Sequence, residues 1–237
     1  MINQLPLYVN VIFALTTLLT LWLFYTAAHE SKVTLAIMLG WLALQAVLGL
    51  SGFYQQTQAL PPRFPVLIVP PLLLLVTLLA TRRGRRFIDR LRLDQLTLLH
   101  TIRILVELVL LWLFIGKTVP QLMTFEGRNF DILSGLTAPF VYYFGFVKKR
   151  IGRPFLVLWN LVCLGLLINI VVNAVLSTPS RFQAFAFDQP NVAILYFPYV
   201  WLPSFIVPVV LMAHVSALRQ LIRRPLGNKI GLATDGS

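Results

Sequence analysis

The sequence predicts an all-α integral membrane protein, a bundle of seven transmembrane helices with the N-terminus outside and the C-terminus cytoplasmic. Three observations carry this expectation. The 237 residues are 58% apolar and 12% charged, against about 45–50% and about 25% in soluble domains. Seven apolar segments approach or exceed the roughly 20 residues that a membrane-crossing helix needs. The basic residues fall on alternate loops, as they do when one side of a membrane retains them. An apolar excess together with a charge deficit excludes a disordered chain and argues against a water-soluble domain.

The segments run about 5–28, 33–53, 64–80, 96–119, 130–147, 155–176 and 192–217, within a single membrane domain 1–237 that ends in a cytoplasmic tail, 218–237. They are too long and too continuous for barrel strands of about 9–11 alternating residues. The first is expected to be a retained span. No Lys or Arg precedes Lys32, and the stretch is longer than a signal-peptide core of about 7–15 residues.

Of the 20 Lys and Arg, fifteen fall on one side: Lys32, the six arginines between Arg82 and Arg92, Lys148 to Arg153, and the tail. Arg63, Arg128 and Arg181 fall on the other, and Arg103 and Lys117 lie inside the fourth segment. Short basic loops stay cytoplasmic, which sets the orientation. The net charge of +12 is thereby a topology signal, and no nucleic-acid partner is expected. The sharper reading of Arg82, Arg83, Arg85 and Arg86 is an anionic-lipid site. Phe87, Ile88, Leu91 and Leu93 interleave with these arginines, so an amphipathic stretch on the membrane surface is expected before the fourth span.

Ionisable groups within a span are costly and by default mark function. The fourth span carries His100, Arg103 and Glu107. At about 100° per residue, His100 and Glu107 project within roughly 20° of each other, with Arg103 about 60° aside. The structural reading is an internal Arg103–Glu107 pair at i, i+4. The functional reading is a polar site or relay for a proton, small ion or polar solute, with Arg103 holding an anionic group or setting the charge of Glu107. Lys117 is expected to snorkel to the outer interface.

The outer loop before the fifth span holds Glu126, Arg128, Asn129 and Asp131. It reads either as a helix start capped by Asn129 or as a lid on the stripe, with Met123, Phe125 and Phe130 dipping into the bilayer. Gly127 permits a sharp turn there. Asn160, Asn169 and Asn173 lie in the sixth span, where asparagine amides join helices or line a site. Pro198, Pro203 and Pro208 must kink or interrupt the seventh, freeing carbonyls that need protein or water beside them.

His29, His100 and His214 fall near one depth and form the alternative reading, a metal or haem site in a membrane enzyme. No HExxH spacing supports it, and Cys163, the one cysteine, reads as a packing residue. The chain has no GxxxxGK[ST], GxSxG or GxGxxG motif. It lacks the mid-helix lysine of a seven-span retinal protein, and the acidic-Arg-aromatic triplet of a G-protein-coupled receptor. The expectation is a multi-pass protein of the cell membrane, a bacterial inner membrane, that binds or passes a small ion, proton or polar solute. Its site would be His100, Arg103, Glu107, Glu126, Arg128, Asn129, Asp131, Asn169 and Asn173. A receptor, sensor or assembly subunit without chemistry is the remaining alternative, and the sequence leaves the cofactor and the oligomeric state open.

Overall fold

The computed structural model describes residues 5–57, 59 and 63–223, and among them its regular structure is all helix, with no strand. The helices are α1 (Leu7–Ala27), α2 (Lys32–Leu50), α3 (Pro65–Ala80), α4 (Arg82–Arg90), α5 (Leu93–Leu99), α6 (Ile102–Ile115), α7 (Ile132–Tyr142), α8 (Arg153–Ser177) and α9 (Val207–Arg223). Five rods are long and apolar enough to cross a membrane: α1, α2, the α5–α6 rod Leu93–Ile115, α8, and Leu202–Arg223. α3 is shorter, as is the apolar stretch Ile132–Val147, in which α7 continues into a π turn. Arg224 and Lys229 lie outside the described residues.

α1 packs along α5 and α6, and α9 packs along α8 and α5. α7 lies against both α5 and α6, which places its first turn beside α6. Large apolar side chains still face outward from α1, α2, α3 and α8, among them Trp22, Ile37, Leu73 and Leu161. Apolar surface of that extent is of the kind that marks contact with a membrane or another protein.

The fourth span starts and stops earlier than expected, at Leu93 and Ile115 rather than at 96 and 119. Its end is set by Lys117, in a left-handed conformation (φ 55°), whose neighbour Thr118 N–H reaches back to the Leu113 carbonyl at 2.9 Å. This is the helix-ending pattern in which a left-handed residue lets following amides satisfy the last carbonyls. The exposed Lys117 side chain sits at that end.

The seventh span differs most from expectation. Residues 192–200 hold a short 3-10 helix (Ala193–Leu195) followed by turns, and the rod runs from Leu202 to Arg223, beyond the expected end at 217. Val192 and Ala193 N–H instead bond the Thr118 carbonyl at 3.0 Å. Pro203 lies in a π turn (Leu202–Ile206), and Pro208, lacking an N–H, leaves the Ser204 carbonyl free. The Trp41 indole of α2 donates to that carbonyl at 2.8 Å. The freed backbone group is therefore satisfied by protein.

The basic stretch after α3 is a helix of its own, α4, bent by 97° from α3. Thr81 caps it through the Gly84 N–H at 3.1 Å, and the Arg85 guanidinium donates to the terminal α3 carbonyls of Leu79 and Ala80. Gly84 and Ile88 face inward, while Arg82, Arg83, Arg86 and Arg90 are exposed, so α4 is an amphipathic surface helix. Asp89 pairs with Arg219 of α9 through two bonds of 2.8 and 2.9 Å. The α4–α5 connection is tied to the end of α1, since Arg92 N–H donates to the Ala27 carbonyl at 2.9 Å.

Between α2 and α3, the buried Tyr54 hydroxyl donates to Gln45 Oε1 at 2.6 Å. Burial pushes the Tyr54 phenol up to about 12 from an ordinary 10.0. The native state then keeps a proton that the unfolded chain releases above about pH 10, so this contribution is whole below pH 10 and declines above it. Melting of the detergent-solubilised protein across that alkaline range should show the decline, and Tyr54→Phe should flatten it. An unchanged slope in the variant would assign the alkaline loss to other groups.

Candidate functional site

Arg103 on α6 is 2% exposed and sits where α6, α7, α8 and α9 converge. Its Nε donates to Asp131 Oδ2 at 2.6 Å, and its Nη2 donates to Asp131 Oδ1, a bidentate pair. Nη2 also donates to the Cys163 carbonyl of α8 at 3.1 Å. Nη1 lies 3.1 Å from His214 Nε2 on α9. A guanidinium only donates, so His214 Nε2 accepts and the ring proton sits on Nδ1. That Nδ1–H donates to Asn160 Oδ1 at 3.0 Å, and Asn160 Nδ2 donates to the Leu156 carbonyl at 2.9 Å.

Asn129 extends the network on the other side. Its Nδ2 donates to Glu107 Oε1 and to the Met123 carbonyl (3.0 Å), and its Oδ1 accepts the Asp131 N–H at 3.0 Å. The side chain joins the loop, the first turn of α7 and the α6 carboxylate. Gly127 makes that loop possible by close approach, not by an unusual φ. A Cβ there would lie 2.2 Å from the Gln121 carbonyl oxygen.

Glu107 is 1% exposed, and among the described residues its Oε2 has no hydrogen-bond partner. The same holds for His100 Nδ1. The His100 ring stacks on His214 with centroids 3.9 Å apart and planes inclined by 17°. Beside Glu107 lies a cavity of about 190 Å³. Arg103, Glu107 and Asp131 form its charged side, and apolar residues such as Ile68, Leu167, Val171, Ile206 and Val210 form its walls.

The structure thus brings together five of the sequence candidates: His100, Arg103, Glu107, Asn129 and Asp131. It separates the others. Glu126 and Arg128 are exposed. Asn169 is exposed and donates to the Arg128 carbonyl at 3.0 Å, and Asn173 reaches Asn169 at 3.4 Å, forming a clasp between α8 and the loop. Met123 is buried beneath the loop, but Phe130 points outward. The expected Arg103–Glu107 pair is replaced by Arg103–Asp131, because the α7 carboxylate offers both oxygens to the guanidinium fork. Arg103 is therefore engaged by protein and is not a free anion holder.

The three histidines are not gathered at one point. His29 is exposed at the end of α1 and donates through Nε2 to the Arg90 carbonyl at 2.8 Å. Both His214 nitrogens are engaged, and the face-to-face stacking with His100 leaves no axial position between the rings. Among the described residues, no three His, Cys, Asp or Glu side chains are placed to hold a metal.

Residues missed by sequence reasoning as members of this site are Asn160, His214 (read as a metal ligand) and the Cys163 carbonyl. Their polarity within apolar helices was visible, but Arg103 lies 111 and 60 positions from His214 and Cys163, and Asn160 meets His214 across 54. A family model described as Domain of unknown function (DUF8737) matches residues 61–222, a stretch that contains every residue of the network. No curated protein matches the chain, and no solved structure does.

Proposed function

This chain belongs to the family described as Domain of unknown function (DUF8737), and we propose that it is a seven-span protein of the cell membrane, a bacterial inner membrane, that binds or passes a proton, small cation or hydrogen-bonding polar solute at Glu107. The seven spans are the five long rods, α3 with α4 lying on the surface, and the Ile132–Val147 stretch. Sixteen residues of α3 rise about 24 Å, short of a hydrocarbon core of about 30 Å but close enough for local thinning and snorkelling arginines to bridge. The positive-inside bias places α4 and the C-terminus in the cytoplasm.

The observation that carries the reading is the unpartnered Glu107 Oε2 at a cavity whose other charges are already matched. Asp131 neutralises Arg103, so a guest meets the one Glu107 oxygen, Oε2, that Asn129 does not hold. Such a site favours a proton, a cation or a donor group over an anion. His100 and His214 stack on the far side of Arg103, completing a polar line across the bundle.

Glu107→Gln tests this. Glutamine keeps an oxygen for Asn129 and alters only the charge and the proton. Liposomes carrying the purified protein and an internal pH dye, under an imposed potential, should acidify faster than empty liposomes. With Glu107→Gln the rate should fall to that of empty liposomes while the melting temperature holds. Wild-type flux in the variant would overturn the reading. So would the absence of proton, sodium and potassium flux in the wild type.

A further inference from the structure

A second cavity, of about 840 Å³, lies between α2 and α3 and is unrelated to Glu107. Its size falls within the roughly 300–1,000 Å³ of ligand pockets. One wall is α2, with Val33, Ile37 and Met38, and the other is α3, with Pro70, Leu74 and Leu78. The Leu202–Arg223 rod forms the back through Phe205, Val209 and Met212. Val33, Ile37 and Leu74 are exposed, so the groove opens sideways between the two helices.

Its ends differ chemically. At one end stand Ser31, His29 and Arg90. At the other, Trp41 closes on the Ser204 carbonyl. From Ser31 to Trp41 the α2 wall rises about 15 Å, half of a hydrocarbon core of about 30 Å. The groove therefore spans one leaflet, from interface to midplane. Its mouth adjoins α4, where Arg83, Arg86 and Arg90 share a face by their i, i+3, i+7 spacing. The side chains of Arg82, Arg83, Arg86 and Arg90 are exposed. Arg85 is excluded from this set because it caps α3.

We propose that this groove holds an acyl chain of an acidic phospholipid from the cytoplasmic leaflet, with the headgroup phosphate at Arg90 and the ridge of Arg86 and Arg83 beside it. An apolar slot one leaflet deep fits a chain, and a cationic mouth at headgroup level selects the charge. The proposal rests on the membrane-spanning reading and is independent of Glu107. A failure here leaves the flux experiment untouched.

The test uses the wild-type protein in phosphatidylcholine vesicles doped with phosphatidylglycerol that carries a photoactivatable group on one chain. Crosslinks should concentrate on peptides 31–41 and 70–78, several-fold above those from the same label on phosphatidylcholine. Replacing Arg83, Arg86 and Arg90 together by Gln should bring the two lipids level. Equal labelling of wild type by both lipids would overturn the proposal, as would crosslinks spread over the outer faces of α1 and α8. Suppression by soluble glycerol phosphate would indicate a site for free anions instead. Copies joined through these peptides by a separate bifunctional crosslinker, with no lipid labelling there, would make the occupant a second chain.

Discussion

Asp131→Ala should cost this protein about 3–5 kcal/mol of stability, the usual penalty for leaving one member of a buried ion pair behind. Arg103 would remain 2% exposed, keeping its bonds to His214 and the Cys163 carbonyl but losing both carboxylate oxygens. A guanidinium cannot shed its charge, so the site must open to water or unfold. Thermal melting in detergent, read as monodisperse protein remaining after heating, should show the loss directly. Arg103→Met combined with Asp131→Leu should recover much of it, because apolar replacement of both partners removes the stranded charge. Recovery should stop short of complete, since His214 Nε2 and the Cys163 carbonyl would then lack a donor. An Asp131→Ala variant that melts with wild type would show that water already reaches Arg103.

Gly84→Val should produce the second large effect. A Cβ at Gly84 would lie 2.4 Å from both Cα and the carbonyl oxygen of Leu78, so the obstacle is backbone, which cannot swing away. Relief requires α4 to move off the end of α3. That movement strains the Asp89–Arg219 pair and the bonds from Gln220 to the Ile88 and Leu91 carbonyls, at 2.9 and 3.0 Å. Overpacking of this kind typically costs about 1–3 kcal/mol. The variant should melt lower, and trypsin should cut faster among the α4 arginines. Asp89→Asn should cost less, because a partly exposed pair contributes only about 0–1 kcal/mol. Unchanged melting and cleavage in Gly84→Val would mean that α4 does not need its close seat on α3.

The helical architecture was legible because it depends on local properties. Apolar runs mark rods wherever they end up packed, and α1, α2 and α8 lie within a few residues of expectation. The rod expected over 192–217 was misplaced at its start because apolar content alone cannot distinguish a long helix from a packed segment of turns. Pro198 and Pro203 signalled the interruption, but the Thr118 carbonyl that receives Val192 and Ala193 was out of sight. The separation of α4 from the fourth span was partly visible in its alternating arginines and apolar residues. The 97° bend depends on Gly84 touching Leu78, which no periodicity encodes.

The polar stripe of the Leu93–Ile115 rod follows from the chain alone, because helical geometry puts Arg103 and Glu107 of α6, and His100 at the α5–α6 turn, on neighbouring faces whatever surrounds them. Which group answers each of them was decided by the packing of α7, α8 and α9. Arg103 had a carboxylate one turn away on its own helix, yet it closes on Asp131, 28 positions distant, whose two oxygens both meet the guanidinium fork. That choice leaves Glu107 with an open oxygen beside a cavity. Composition and period are properties of neighbouring residues and survive any arrangement of the rods. A carboxylate oxygen left without a donor among the described residues is a property of what the other rods fail to offer, and it exists only once they have come together.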